Sequence, residues 1–189
     1  MLKIALTGGI GTGKSYISRL FLAMGIPVYC ADIEAKKFYN QTDIKEKVKF
    51  FLGEAVFTGE EIDLKKMAVE VFSDTEKLQF INTLIHPLIM QDFDCRAAKL
   101  NSGTLIMESA IIFENGLESF FDIMMVVDAP ENIRKERLRK RGDFLTEEMI
   151  LHRIYAQIPQ EEKLKRADII IDNSVENRRE IIYTVRSKM

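Results

Sequence analysis

The run Gly8-Gly9-Ile10-Gly11-Thr12-Gly13-Lys14-Ser15 matches G-x-x-x-x-G-K-[ST] at every fixed position. Residues of these types at this spacing are suited to holding phosphate. Glycines let the backbone turn around an anion with its N–H groups pointing inward. A helix starting directly afterwards adds unpaired N–H groups and the positive end of its dipole. Lys14 can reach the β- and γ-phosphates of a nucleoside triphosphate, and Ser15 offers a hydroxyl to Mg²⁺. A glycine turn that merely joins a strand to a helix has no need of this combination. The expected contacts to a nucleoside triphosphate are therefore Gly9, Ile10, Gly11, Thr12, Gly13, Lys14 and Ser15.

Other residues further along could carry chemistry. Asp32 follows a short apolar segment, and its carboxylate fits either a general base or the N-cap of the next helix. Glu108 ends another apolar run; it could hold Mg²⁺ through water or be an ordinary strand-end carboxylate. Glu114 fits a substrate contact or a surface salt bridge. Arg134, Lys135, Arg137, Arg139, Lys140 and Arg141 form a dense basic run. Arg137 and Arg141 are four apart and share one helical side, where they could close on phosphates; the other four are expected to be solvated. Gly142-Asp143 breaks the run, as a movable lid requires. Arg153 fits a lid charge or a partner for Glu147 and Glu148. Asn173 can both donate to and accept from a base, and it also suits a turn. His86-Pro87 is expected to shape a helix start or kink, with a substrate contact by His86 as the lesser alternative.

The elements that must position these groups alternate between strand and helix, the pattern of an α/β fold with a parallel sheet. Strands are expected at Leu2–Thr7, Val28–Cys30, Thr104–Met107, Asp122–Val127 and Ala167–Ile171. From Thr42 to Leu100 apolar residues recur at helical intervals, and Ser73 or Asp74 could cap a long helix. That stretch is too long for one crossover and reads as an inserted helical lobe. Helices are also expected from Asn132 to about Arg141, after a Thr146 cap, and from Glu176 to Lys188. In a chain of 189 residues this makes one domain, with 1–32, 101–136 and 166–189 as nucleotide-binding core, 33–100 as acceptor lobe and 137–165 as lid.

Composition narrows the function classes. A hydrophobic content of 47% supports a sizeable core, and a formal net charge of -2 argues against a general nucleic-acid binder. Cys30 and Cys95 lack metal or redox spacing and read as reduced thiols, and two histidines are too few for a histidine metal site. No secretory signal or membrane span is recognisable, so a cytoplasmic protein is expected, with no membrane association and no obligate protein partner.

The ordered set of motifs resembles the dephospho-CoA kinase family. Leu6 to Ser15 is similar to its opening, and Ala31-Asp32-Ile33 follows at the family's spacing. Leu84-Ile85-His86-Pro87-Leu88-Ile89 resembles its His-Pro segment, and Ile111-Ile112-Phe113-Glu114 its Leu-Leu-Phe-Glu element. Arg137, Arg141, Arg153 and Gln157 match its lid pattern, and Ala167 to Asn173 its terminal strand. The resemblance spans nearly the whole chain. It implies a P-loop NTPase fold with a helical substrate lobe and helical lid, and transfer of the ATP γ-phosphate to the 3′-hydroxyl of dephospho-CoA. It favours Asp32 as base, Lys14 and Arg137 in catalysis, Arg141 on phosphate and Asn173 near the adenine. It places Asp32, His86, Glu114 and Arg153 on the acceptor side, and Ser15 and Glu108 on Mg²⁺. Cys30, Ala110 and Lys65 or Lys66 depart from residues common in the family; a lysine there keeps charge but loses the arginine fork. Read from the residues alone, a kinase for another small acceptor and a non-catalytic ATP-binding switch compete, but Asp32, the helical lobe and the paired arginines are parts that an acceptor kinase needs.

Overall fold

A computed structural model of the chain describes residues 1–72, 74–100, 103–140, 146–174 and 181–182. The chain divides into two compact units, Met1–Cys30 with Lys99–Met189, and Ala31–Ala98.

The first unit is built on a five-stranded parallel sheet. Its strands are β1 (Leu2–Thr7), β2 (Val28–Cys30), β5 (Thr104–Glu108), β6 (Ile123–Asp128) and β7 (Ile169–Asp172), in the order β2-β5-β1-β6-β7. β1 is central, with Leu6 opposite Glu108 of β5 and Thr7 opposite Val126 of β6. Ile4, Leu6, Ile106, Met125 and Val127 are buried with Ile17, Leu20 and Phe21 of helix α1 (Lys14–Ala23). Strands covered on both faces read as near-continuous apolar runs, which is why these segments were recognisable. The chain leaves β1 toward β2 on one side and later reaches β6 on the other. The end of β1 is therefore the switch point at which open α/β sheets form a crevice for ligands. Ile181, in a helical turn after β7, joins the same core.

Also in this unit are the α-helices α6 (Glu131–Lys140), α7 (Glu147–Tyr155) and α8 (Gln160–Lys165). α6 and α7 pack through Leu138, Ile150 and Ile154, with Ile10 against them. Thr146 caps α7, its hydroxyl accepting the Met149 N–H at 3.2 Å. Arg141, Gly142 and Asp143 lie outside the described residues, as does most of the expected 176–188 helix.

The second unit contains α2 (Ala31–Phe38), α3 (Thr42–Leu52), α4 (Leu64–Phe72) and α5 (Thr75–Lys99). It is not wholly helical: Phe57–Thr58 (β3) and Glu61–Ile62 (β4) form an antiparallel hairpin. Gly59, at φ 63°, sits at its turn, a local preference that outweighed the surrounding helical periodicity. Asp74 caps α5 by accepting the Glu76 N–H at 2.9 Å; Ser73 lies outside the described residues. α5, 25 residues long, buries Ile81, Ile85, Ile89, Phe93 and Ala97 at four-residue steps. Pro87 lies inside this helix rather than at its start, on an exposed face, and the flanking stripe carries the helix past it. Arg96 of α5 holds Glu34 of α2 at 2.5 Å, tying down the helix whose first turn carries Asp32.

Candidate active site

The loop after β1 has the backbone that its glycines predict. Gly8, Gly11 and Gly13 have φ of 140°, 83° and 95°, and Gly13 leads directly into α1. Thr12 is fully buried and ties the loop across itself, its hydroxyl donating to the Gly9 carbonyl at 2.9 Å. Lys14 folds back over the loop, its ammonium donating to the carbonyls of Gly8 at 2.9 Å and Gly9 at 3.2 Å. That places a positive charge against the backbone of the glycine loop.

Ser15 and Glu108 meet at the beginning of α1. Glu108 lies within β5 rather than beyond it and is nearly buried at 7% exposure. One of its oxygens accepts the Ser15 hydroxyl at 2.9 Å and the other the buried Ser18 hydroxyl at 2.7 Å. The Ser15 proton is thus directed to the carboxylate, leaving oxygen lone pairs of an exposed serine for a cation. A hydroxyl beside one carboxylate is an all-oxygen donor set of the kind that holds Mg²⁺ with phosphates and water. Among the described residues no group of three or more His, Cys, Asp or Glu could hold a metal, so a cage made wholly of protein ligands is not offered there.

The basic helix supports the loop from the other side. Arg137 donates to the Thr12 carbonyl at 3.1 Å and to the Asn173 backbone carbonyl at 2.8 Å. Asn173, at 1% exposure just after β7, donates its side-chain amide to the same Thr12 carbonyl at 2.8 Å. Arg134 differs from the expectation of a solvated residue. It is 5% exposed and donates to the Ile10 carbonyl at 2.9 Å. Burial lowers the Arg134 pKa from its ordinary value, yet a guanidinium starts so high that it stays protonated. Its side chain turned inward because α6 runs past the loop, a relation between distant segments that helical spacing alone does not reveal. Lys135, Arg139 and Lys140 pair with Glu131, Glu147 and Glu136, as surface residues do.

Two glutamines complete the cradle. Gln157 accepts the Ile10 N–H at 2.7 Å, and Gln160 accepts the Gly9 N–H at 2.9 Å. Gln160 also donates to the Val127 carbonyl and to Asp128, each at 3.0 Å. Neither Gln160 nor Ser18 stood out in the sequence, since uncharged polar side chains on short helices carry no pattern of their own.

The remaining predicted residues are distributed differently. Glu114 does not form a surface salt bridge; it pairs at 2.6 Å with Lys163, which is fully buried. Burial lowers the Lys163 pKa, against the opposing hold of Glu114. Arg153 is exposed on α7, while Glu147 is taken by Arg139. Asp32 is exposed at the second position of α2, and His86 is half-buried on α5, where burial lowers its pKa. Lys66 donates to the Phe57 carbonyl and Thr58 hydroxyl, bracing the hairpin.

A phosphate loop at the switch point of a parallel sheet, faced by buried and half-buried arginines, defines a P-loop kinase. At the level of fold alone, shikimate kinase from Acinetobacter baumannii is similar, with a TM-score of 0.56 at 13% identity over 99% of this chain and 92% of that one. The dephospho-CoA kinase family model matches residues 2–178. A dephospho-CoA kinase from Bacteroides fragilis is 37% identical over 178 residues, covering 93% of this chain and 86% of the relative. One from Geobacillus kaustophilus is 35% identical over 193 residues, covering 98% and 96%. A crystal structure of a Thermus thermophilus protein superposes with a TM-score of 0.88 at 30% identity, over 100% of this chain and 97% of that one. The chain belongs to the dephospho-CoA kinase family and is an ATP-dependent kinase.

Proposed function

We propose that the loop, Asp32 and the arginines divide the transfer of the ATP γ-phosphate to the dephospho-CoA 3′-hydroxyl as follows. With the Gly9 and Ile10 N–H groups held by Gln160 and Gln157 and that of Thr12 by the Gly9 carbonyl, the backbone N–H groups of Gly11, Gly13, Lys14 and Ser15 and the Lys14 ammonium take the phosphates. Arg137, close to Thr12, neutralises charge that spreads over the transferring group. Ser15 would hold Mg²⁺ directly and Glu108 through water, and the ion would supply neutralisation of the phosphate charge. Asp32 orients the acceptor hydroxyl and takes its proton. Its support is its chemistry and its place two residues beyond β2, whose C-terminal end shares the sheet edge with that of β1. Asn173 contributes to the adenine side. His86 and Arg153 are assigned to the acceptor. Cys30 and Cys95, which form no disulfide, suit a reducing cytoplasm, and among the described residues no helix is long and apolar enough to cross a membrane.

The observation that carries the reading is the Ser15–Glu108 pair beside Lys14 at the end of β1. The test is a coupled assay for ADP with Mg²⁺, ATP and a panel of acceptors. Turnover with dephospho-CoA and not with shikimate, gluconate or nucleosides is expected. Asp32→Asn should keep ATP affinity within about twofold while kcat falls about 10²- to 10⁴-fold, the usual range for losing a general base. An unchanged kcat removes Asp32 from that role.

A further inference from the structure

Glu114 and Lys163 form an ion pair in which the ammonium has no exposure to solvent. Burying two charges is costly unless every remaining donor is satisfied, and here the pair is embedded in backbone. Lys163 also donates to the Ala110 carbonyl at 3.2 Å. The Glu114 oxygen that receives the ammonium receives the Ile158 N–H at 3.2 Å as well. The other Glu114 oxygen is buried and has no hydrogen-bond partner among the described residues. With one oxygen engaged by Lys163 and Ile158 and the other shut from solvent, the carboxylate is committed to its own fold rather than to an acceptor molecule. What it does touch is the connection between α7 and α8. Ile158 stands next to Gln157 and two residues before Gln160, the glutamines whose oxygens hold the Ile10 and Gly9 N–H groups.

We propose that Glu114 and Lys163 are positioning residues for the nucleotide loop. Their ion pair holds residues 157–160 where Gln157 and Gln160 can grip the leading half of the loop. The inference rests on the reading that this loop binds ATP, and it moves Glu114 from the acceptor to the donor side. The physical gain is pre-organisation. A glycine-rich segment that must be ordered by its ligand binds more weakly than one already held. The two glutamines supply that hold at the start of the loop, while Arg137 and Asn173 supply it at Thr12.

The variants are Lys163→Met, Gln157→Leu and the double variant. Calorimetric affinity for a non-hydrolysable ATP analogue is read beside KM for each substrate, after circular dichroism confirms folding. Each single variant should weaken the analogue about five- to tenfold and raise the ATP KM, with the dephospho-CoA KM within about twofold of wild type. The double variant should lose less than the product of the two, because both act through one segment. Wild-type analogue affinity in folded Lys163→Met, independent losses in the double variant, or a rise confined to the dephospho-CoA KM would overturn the assignment. If Lys163→Met does not fold, Gln157→Leu decides the final link, and unchanged affinity there refutes the proposal. Failure of the wild-type protein itself to bind the analogue would instead refute the ATP reading on which it rests.

Discussion

Replacing Gly13 by alanine perturbs the site at its tightest point. Gly13 has φ of 95°, where an L-residue costs about 1–2 kcal/mol. A Cβ built there also runs into the side-chain amide nitrogen of Asn173. That amide cannot step aside freely, since Asn173 is 1% exposed. Moving it breaks its 2.8 Å bond to the Thr12 carbonyl and leaves buried polar atoms unsatisfied, a loss of about 1–3 kcal/mol. The sum is about 2–5 kcal/mol. Gly25 provides the control, because its φ is 78° and nothing lies within 4 Å of a Cβ added there. Gly25→Ala should therefore cost only about 1–2 kcal/mol. Urea unfolding of the two variants measures the difference, expected at about 1–3 kcal/mol, and Gly13→Ala alone should lose at least about tenfold in ATP affinity, equivalent to about 1.4 kcal/mol. Equal destabilisation, or wild-type ATP binding by Gly13→Ala, would show that the Asn173 contact does not hold the loop.

Two other changes probe different parts of the structure. Arg137→Lys keeps the charge but loses the fork that reaches Thr12 and Asn173 together; steady-state kinetics should show kcat falling about tenfold, and Arg137→Ala more. Burial lowers the His86 pKa below its ordinary 6.5, so as the pH falls below about 6.5 the unfolded chain gains a proton that the folded chain resists. Stability is then lost as pH drops from 6.5 toward the folded pKa, by no more than about 1.4 kcal/mol per pH unit. His86→Gln should flatten that part of the profile in thermal melts taken from pH 7 to 5.

The phosphate loop and the parallel sheet were legible because both depend on local rules. Glycines at positive φ, a strand covered on both faces and a helix start all leave marks within a few residues. The hairpin at Phe57–Ile62 was less visible, since its two-residue strands are shorter than any period can register. Pro87 left two local outcomes open, a helix start or a kink; it lies inside α5, where the apolar stripe buries enough side chains to carry the helix through.

The sequence by itself determined the chemistry on offer: a loop for phosphates, a serine for a cation, a carboxylate beyond β2 and arginines four apart. It also carried the family resemblance, which lies in ordered motifs. Only the tertiary structure decided which polar side chains serve the loop. Arg134 turned from the surface to Ile10, Glu108 spanned two serines of α1, and Glu114 closed on a buried Lys163. The partners in these contacts are separated by 124, 93, 90 and 49 positions along the chain. No local pattern encodes such pairs. They form because the folded sheet buries groups that must then find hydrogen bonds, and the nearest donors and acceptors belong to the loop and its supports.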